Sequence, residues 1–140
     1  MYYLKTEQTF DSAHFLKGYN GKCHNIHGHC WKVIAEIKGD RLSEETNERG
    51  MLVDFGDIKT ELKELCERLD HCLICEKDSL KPATLAAFRE EDFAVFEVDF
   101  RPTAENFAKY FYDELKKKGF AMHRVEVYET VNNCAAYEEA

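Results

Sequence analysis

The chain has 140 residues, and its 27 acidic side chains outnumber its 19 basic ones to give a formal net charge of −8. This balance excludes general binding to a nucleic-acid backbone, and a hydrophobic content of 44% excludes a disordered chain. The length predicts that residues 1–140 form a single domain. No apolar run approaches the roughly 20 residues of a membrane span, and the N-terminus lacks a signal-peptide pattern, so we expect a cytoplasmic protein without membrane or nucleic-acid partners.

The six cysteines are expected to be free thiols, because nothing in the sequence indicates secretion. Cys66 falls in a helical pattern and is interpreted as a core residue. Cys72 and Cys75 form a Cys-x-x-Cys pair without the second pair of a zinc ribbon, so we interpret them as packing residues. Cys23 differs from the others because a run rich in histidine follows it directly.

The predicted secondary structure elements follow the order β-β-α-α-β-β. Strands are predicted over residues 2–10, 27–38, 121–131 and 134–138, and residues 93–99 can add a short strand. The first helix begins at Asp54 or Asp57, and the second begins after Thr103. Residues 76–92 are charged and are expected to be irregular. This order predicts an α+β fold in which two helices pack on one face of an antiparallel sheet, whose open edges favour oligomerisation.

Three of the six histidines fall within residues 23–29. His27 and His29 are two apart on a predicted strand, so both imidazoles point to the same inward face. Two neutral imidazoles at this spacing can bind one divalent ion, although two partly buried histidines without a metal fit the pattern equally well. His14 ends the first strand, and antiparallel pairing brings it beside His27. Three histidines without a fourth protein ligand are typical of an open, catalytic zinc site.

Two further groups are suited to acid–base chemistry or ligand binding. Asp70 precedes His71, and a carboxylate beside a histidine can orient the ring and raise its basicity, although the helix dipole also favours a histidine at that end of a helix. Glu129 is predicted on the inward face of its strand with Val127 and Val131. A buried carboxylate is costly unless it is paired or binds a ligand, and Glu129 can accept hydrogen bonds from two neighbouring N–H groups.

Together these motifs resemble the 6-pyruvoyl-tetrahydropterin synthase and 6-carboxytetrahydropterin synthase family. The matching motifs occur in family order over nearly the whole chain and comprise Ser12-Ala13-His14, Cys-x-x-x-His-Gly-His over residues 23–29, Asp54-Phe55, Leu69-Asp70-His71, Pro102-Thr103-Ala104-Glu105-Asn106 and Glu129-Thr130. The resemblance implies a tunnelling fold in which ββααββ subunits associate into trimeric barrels that pair into hexamers. The stretch from His71 to Pro102 is longer than is usual in the family, which affects the expected pocket rim but not the zinc centre.

The resemblance also implies a set of site residues at a pocket shared between subunits. The implied Zn²⁺ ligands are His14, His27 and His29. The implied catalytic residues are Cys23, Asp70, His71 and Glu129. The implied substrate-binding residues are Glu129, Glu105 and Thr103.

In the mechanism that the family implies, zinc binds the side-chain hydroxyls of 7,8-dihydroneopterin triphosphate. Cys23 removes a proton, and His71 is its acid–base partner. Glu129 holds the pterin ring. The negative net charge predicts that cations near the triphosphate are clustered locally, and Lys17 and Lys22 are candidates.

The leading hypothesis is a zinc-dependent lyase that releases acetaldehyde and triphosphate to form 6-carboxytetrahydropterin, in the branch leading to 7-deazapurines such as queuosine. A 6-pyruvoyl-tetrahydropterin synthase would use the same residues on the same substrate. A pterin- or purine-binding module with a structural metal and no turnover is an alternative of a different class. A zinc hydrolase fits less well, because the usual helical zinc motif is missing.

Overall fold

In a computed structural model that describes residues 1–140, the chain forms six strands and three α-helices. Their bounds are β1 Tyr2–His14, β2 His27–Gly39, α1 Phe55–Leu69, β3 Cys72–Glu76, α2 Pro82–Glu90, β4 Val95–Val98, α3 Ala104–Lys117, β5 Met122–Thr130 and β6 Asn133–Tyr137. A short 3₁₀ turn over Lys22–His24 lies between β1 and β2. None of the helices combines the length and the apolar character that crossing a membrane requires.

The fold is α+β, as predicted, but its sheet is mixed. The strand order is β4-β3-β1-β2-β5-β6. The four predicted strands pair antiparallel as expected, whereas β3 runs parallel to β1 and β4 runs parallel to β3. The sequence does not reveal β3, because its five residues are too few to show a clear alternation. One of its two partner strands, β1, is also distant from it in the chain.

The prediction that residues 76–92 are irregular is wrong, because α2 lies within them. Pro82 is at the start of this helix, where its missing N–H removes no helical hydrogen bond. The residues that follow include three alanines and a leucine, which are good helix formers. No residue of α2 is buried, so the helix lacks the apolar periodicity by which a sequence reveals packed helices.

The two predicted helices, α1 and α3, pack on one face of the sheet and cover a core cluster of 22 buried residues. The side chain of Asp54 accepts a hydrogen bond from the Gly56 N–H at 2.8 Å, so Asp54 rather than Asp57 is the N-cap of α1. At the centre of the core, the Trp31 ring stacks parallel to Phe10 and meets Phe107 of α3 edge-on. The histidine-bearing ends of β1 and β2 emerge from this core.

The prediction that Val131 lies on the inward face of its strand is wrong, because β5 ends at Thr130 and Val131 is 92% exposed in the turn that follows. All six cysteines are free, as expected. Cys66 and Cys75 are buried, which confirms their interpretation as packing residues, and Cys72 is partly buried.

Candidate active site

The register between β1 and β2 brings three histidines together. His14 is paired with His27, and Ser12 is paired with His29, so the three imidazoles lie on the face that carries the core. The ring centroids are 4.5 Å apart for His14 and His27, 4.9 Å for His27 and His29, and 5.2 Å for His14 and His29. Trp31 lies edge-on beneath the rings of His14 and His29, so the floor of this histidine cluster is apolar.

Backbone carbonyls fix the tautomers of two of these histidines. The Nδ1 atom of His14 lies 2.7 Å from the carbonyl oxygen of Pro102, and Nδ1 of His27 lies 2.7 Å from that of Asn25. Because a carbonyl oxygen only accepts, each Nδ1 must carry the hydrogen, and in each neutral ring the Nε2 lone pair is free. The two Nε2 atoms are only 3.1 Å apart, where two lone pairs repel unless a cation or a proton lies between them.

Burial favours the neutral form of His14 and His29. Desolvation lowers the pKa of His14 and of His29, although the nearby carboxylate of Glu129 partly opposes this by favouring the charged form. His14 is 1% exposed. Neutral imidazole is the form that binds a metal ion, so the environment favours the protonation state that metal binding needs.

Glu129 is a fourth donor beside the three histidines. Its Oε1 atom lies 2.8 Å from Nε2 of His29 and 3.7 Å from Nε2 of His14. The contact with His29 is not aligned as a hydrogen bond, which leaves that buried Nε2 without a hydrogen-bond partner. One donor atom from each of the four residues lies within 4.8 Å of the others, so the group can hold a metal ion. The sequence predicts that Glu129 points inward, but it does not predict that Glu129 lies beside the three histidines. That proximity depends on the pairing of β5 with β2.

Cys23 lies beside this group of four donors. It is half-buried in the 3₁₀ turn, and its carbonyl oxygen accepts a hydrogen bond from the N–H of Leu16 at 3.0 Å. Cys23, Lys22, His27 and His29 line one cavity of about 380 Å³. A molecule bound at the histidines can therefore contact the thiol and a lysine at the same time.

The Asp70–His71 pair is held rigidly at the end of α1. The Oδ2 atom of Asp70 lies 2.8 Å from Nδ1 of His71, and its Oδ1 accepts a hydrogen bond from the N–H of Asp11 at 2.8 Å. The N–H of His71 donates to the carbonyl oxygen of Asp11 at 2.6 Å, and His71 has a left-handed backbone with φ of 56°. These bonds to β1 stabilise a conformation that non-glycine residues seldom adopt.

The electrostatics of this pair favour a charged imidazole. The hydrogen bond to Asp70 raises the pKa of His71, and the hydrogen bond from the Asp11 N–H lowers the pKa of Asp70. The His71 side chain is 79% exposed. Asp70 thus orients His71 and strengthens it as a base, as the sequence suggests.

Cys23 and His71 line different cavities of the chain. His71 lies at a second cavity of about 600 Å³, whose floor includes Ala13 and Gly28. Ala13 is paired with Gly28, and alternation along β1 turns this pair away from the face that carries His14. His29 lines both cavities, so the cavity of His71 reaches the histidine cluster, whereas Cys23 lines only the other cavity.

The remaining predicted site residues lie near the start of α3. The hydroxyl of Thr103 accepts a hydrogen bond from the Asn106 N–H at 3.2 Å, so it caps the helix, and Glu105 is exposed in the first turn. The carbonyl of Pro102 binds His14, which places this helix end beside the histidine cluster. Lys17 is exposed, and its carbonyl accepts a hydrogen bond from Arg101.

Sequence reasoning missed the backbone groups that orient the site. The carbonyls of Asn25 and Pro102 set the histidine tautomers, and the backbone of Asp11 holds Asp70 and His71. No side-chain pattern marks such groups, because every residue carries the same carbonyl and all but proline carry the same N–H.

Comparisons with known proteins identify relatives over nearly the whole chain. A family model described as 6-pyruvoyl tetrahydropterin synthase matches residues 3–140. A 6-carboxy-5,6,7,8-tetrahydropterin synthase of Haemophilus influenzae is 32% identical over 99% of this chain and all of its own length. The Aquifex aeolicus protein of the same name is 35% identical over 84% of this chain and 76% of its own.

Solved structures show the same fold. An uncharacterised protein of Wolinella succinogenes superposes with a TM-score of 0.82, at 21% identity, over 99% of this chain and 98% of its own. The 6-pyruvoyl tetrahydropterin synthase of Caenorhabditis elegans superposes with a TM-score of 0.71, also at 21% identity, over 99% of this chain and 96% of its own. The chain thus has the tunnelling fold.

Proposed function

This chain belongs to the 6-pyruvoyl tetrahydropterin synthase family, and we propose that it is a zinc-dependent 6-carboxy-5,6,7,8-tetrahydropterin synthase. The proposed substrate is 7,8-dihydroneopterin triphosphate, which with water gives 6-carboxytetrahydropterin, acetaldehyde and triphosphate. The names of the relatives support the carboxy product over the pyruvoyl product. We place the reaction in the branch that leads to 7-deazapurines such as queuosine.

A single observation carries the proposal of a metal. The two lone pairs of His14 and His27 face each other at 3.1 Å, and their rings cannot rotate without breaking the bonds to Pro102 and Asn25. The nearby Nε2 of His29 is buried without a hydrogen-bond partner, and the carboxylate of Glu129 adds negative charge. A divalent cation bound by the three imidazoles satisfies their lone pairs, the carboxylate of Glu129 beside it favours a positive charge, and a set of imidazoles suits zinc.

In the proposed mechanism, His14, His27 and His29 would hold the zinc ion, which when bound would supply Lewis acidity at the side-chain hydroxyls of the substrate and so acidify the neighbouring C–H groups. The thiolate of Cys23 removes a proton from that side chain, and Lys22 in the same cavity contacts the phosphates. His71, oriented by Asp70, transfers protons to and from the substrate. Glu129 accepts hydrogen bonds from the N–H groups of the pterin ring.

We propose that the working form is a homo-oligomer, a trimer or hexamer as the family resemblance implies. The strand β6 ends the sheet on one side, and most of β1 has no neighbour on its outer side, since β3 pairs only with Ser12–His14. Pairing β6 of one copy with β1 of another would satisfy both edges. Such an assembly can bring His71 of one copy to Cys23 of the next, which a single chain does not do.

The test is incubation of the metal-loaded protein with 7,8-dihydroneopterin triphosphate, with the products identified by mass spectrometry. We expect 6-carboxytetrahydropterin and acetaldehyde in equal amounts. A pyruvoyl product without acetaldehyde would assign the chain to the other activity of the family. Tight binding of pterin without any product would instead indicate a binding module.

A further inference from the structure

The cavity that His71 and His29 help to line also has apolar walls, to which the proposed reaction assigns no role. We call it the apolar cavity, and its floor is a row of residues paired across four strands, namely Ala13, Gly28, Leu73 and Val95. Its apolar walls are Ile26, Phe88 and Phe93. Phe93 is 59% exposed and Ile26 is 53% exposed. Large apolar side chains exposed around an apolar cavity are typical of an interaction site.

The same chain carries an exposed apolar side chain at a protruding turn. Val131 and Asn132 form the two-residue connection between β5 and β6, and Thr130 is paired with Asn133 across it. Val131 is 92% exposed, more than any other large hydrophobic residue of the chain. This hairpin tip, residues 130–133, carries no charge.

Strand directions show where the tip lies when two copies pair. The strands β1, β2, β5 and β6 alternate in direction, so β6 of one copy can join the free edge of β1 in another as an antiparallel neighbour. Asn133, the first residue of β6, then lies toward the His14 end of β1. This edge of β1 cannot pair with β6 from Asp11 onward, because the backbone N–H and carbonyl of Asp11 already form hydrogen bonds with Asp70 and His71. The tip that precedes Asn133 is thus brought against the start of β3, where Cys72 and Leu73 line the apolar cavity.

We propose that Val131 of one copy packs into the apolar cavity of a second copy, and that this contact fixes the register between the two chains. The inference rests on the proposed oligomer, because it needs the β6-to-β1 pairing. Register needs such a device here, since five-residue β6 can pair at several positions along the longer free edge of β1.

The chemistry of the two surfaces is complementary. The apolar cavity is lined by no lysine or arginine, and its polar wall includes Asp11 and His71. A neutral tip with one aliphatic side chain brings no charge of its own into the cavity, and its amides at Asn132 and Asn133 can donate hydrogen bonds to the carboxylate of Asp11. The same lining does not suit a triphosphate, so the cavity is not the phosphate site of the proposed substrate.

Sedimentation velocity of wild type and variants tests the contact. We expect the wild-type chain to sediment as an oligomer, and Val131→Asp to raise the dissociation constant at least tenfold, because a carboxylate is moved into an apolar cavity. Val131→Ile should preserve assembly. Met51→Asp is the matched control, since Met51 is also an exposed hydrophobic residue but lies outside the apolar cavity. Circular dichroism verifies that each variant is folded.

The outcomes separate this inference from the proposal on which it rests. A monomeric wild-type chain contradicts the oligomer and the contact together. An oligomer that Val131→Asp leaves unchanged overturns the contact alone. Photo-crosslinking from benzoylphenylalanine at position 131 supports the contact if the crosslinked peptide of the second copy contains Leu73 or Phe93, and a crosslink elsewhere overturns it.

Discussion

The two faces of the sheet at the His14 end of β1 and the His27 end of β2 differ in how far the chain itself fixes and buries their functional groups. On the inner face, His14, His27 and His29 converge on one point, with both tautomers fixed by the same chain. On the outer face, Asp70 and His71 lie open to solvent beside an apolar cavity. Because side chains alternate between the two faces of a strand, neighbouring residues can form two different surfaces. On one surface the functional groups have their partners within the chain, and on the other they are exposed to a ligand or to a second copy.

If the inner face is a metal centre, removing one imidazole has the largest effect. We expect His27→Ala to reduce bound zinc from about one per chain to background, because three remaining donors hold the ion much more weakly. Metal analysis of the purified protein measures this directly. His24→Ala is the control, since His24 is exposed on the neighbouring turn and should leave the metal content unchanged. Full metal content in His27→Ala would remove this residue from the site.

Cys23 separates metal binding from turnover on the inner face. We expect Cys23→Ala to retain zinc while kcat falls by roughly 10²–10⁴-fold, as is usual when a positioned base is removed. Parallel assays of metal content and acetaldehyde release check both expectations. Cys30→Ala is the control, because Cys30 is an exposed thiol paired with Asp11 on the outer face. Activity near the wild-type level in Cys23→Ala would contradict the assignment of the base.

On the outer face, Asp70 sets the acid–base behaviour of His71. The hydrogen bond to Asp70 raises the pKa of His71, so the imidazolium persists to higher pH in the folded chain. Its stabilising effect is present below the unfolded-state pKa and is lost as the pH rises through the raised, folded-state pKa. We expect Asp70→Asn to lower the pKa of His71, followed by NMR titration of the ring. Asp57→Asn, at the start of α1, should leave it unchanged, and an unshifted pKa in Asp70→Asn would contradict the pairing.

The smallest expected effect concerns the start of α3, beside the inner face. Thr103→Ala should lower the free energy of unfolding by about 1 kcal/mol, because the helix loses its N-cap, and Thr103→Ser should restore it. Urea denaturation measures the change. A rise in KM without a loss of stability would instead show that Thr103 contacts the substrate, as the family resemblance implies.

Much of the candidate site can be predicted from the sequence because it lies on long, regular elements. The alternation in residues 27–38 predicts that His27 and His29 share a face, and the position of His14 at a strand end predicts its approach to His27, as the register confirms. Predictions failed where local pattern is weak. Helix α2 buries no residue, β3 is short, and Val131 lies one residue beyond the end of its strand.

By itself the sequence determined the α+β class, the two packed helices, the histidine face and the Asp70–His71 pair, because strand and helix periodicities and adjacent residues are local properties. Only the tertiary structure decided that Glu129 joins the histidines, that the carbonyls of Asn25 and Pro102 orient them, and that Cys23 and His71 lie at different cavities. Those features depend on which strands become neighbours and on where backbone groups point. Residues far apart in the chain decide which strands pair, and a backbone carbonyl leaves no side-chain pattern, whether it is distant like that of Pro102 or only two residues away like that of Asn25.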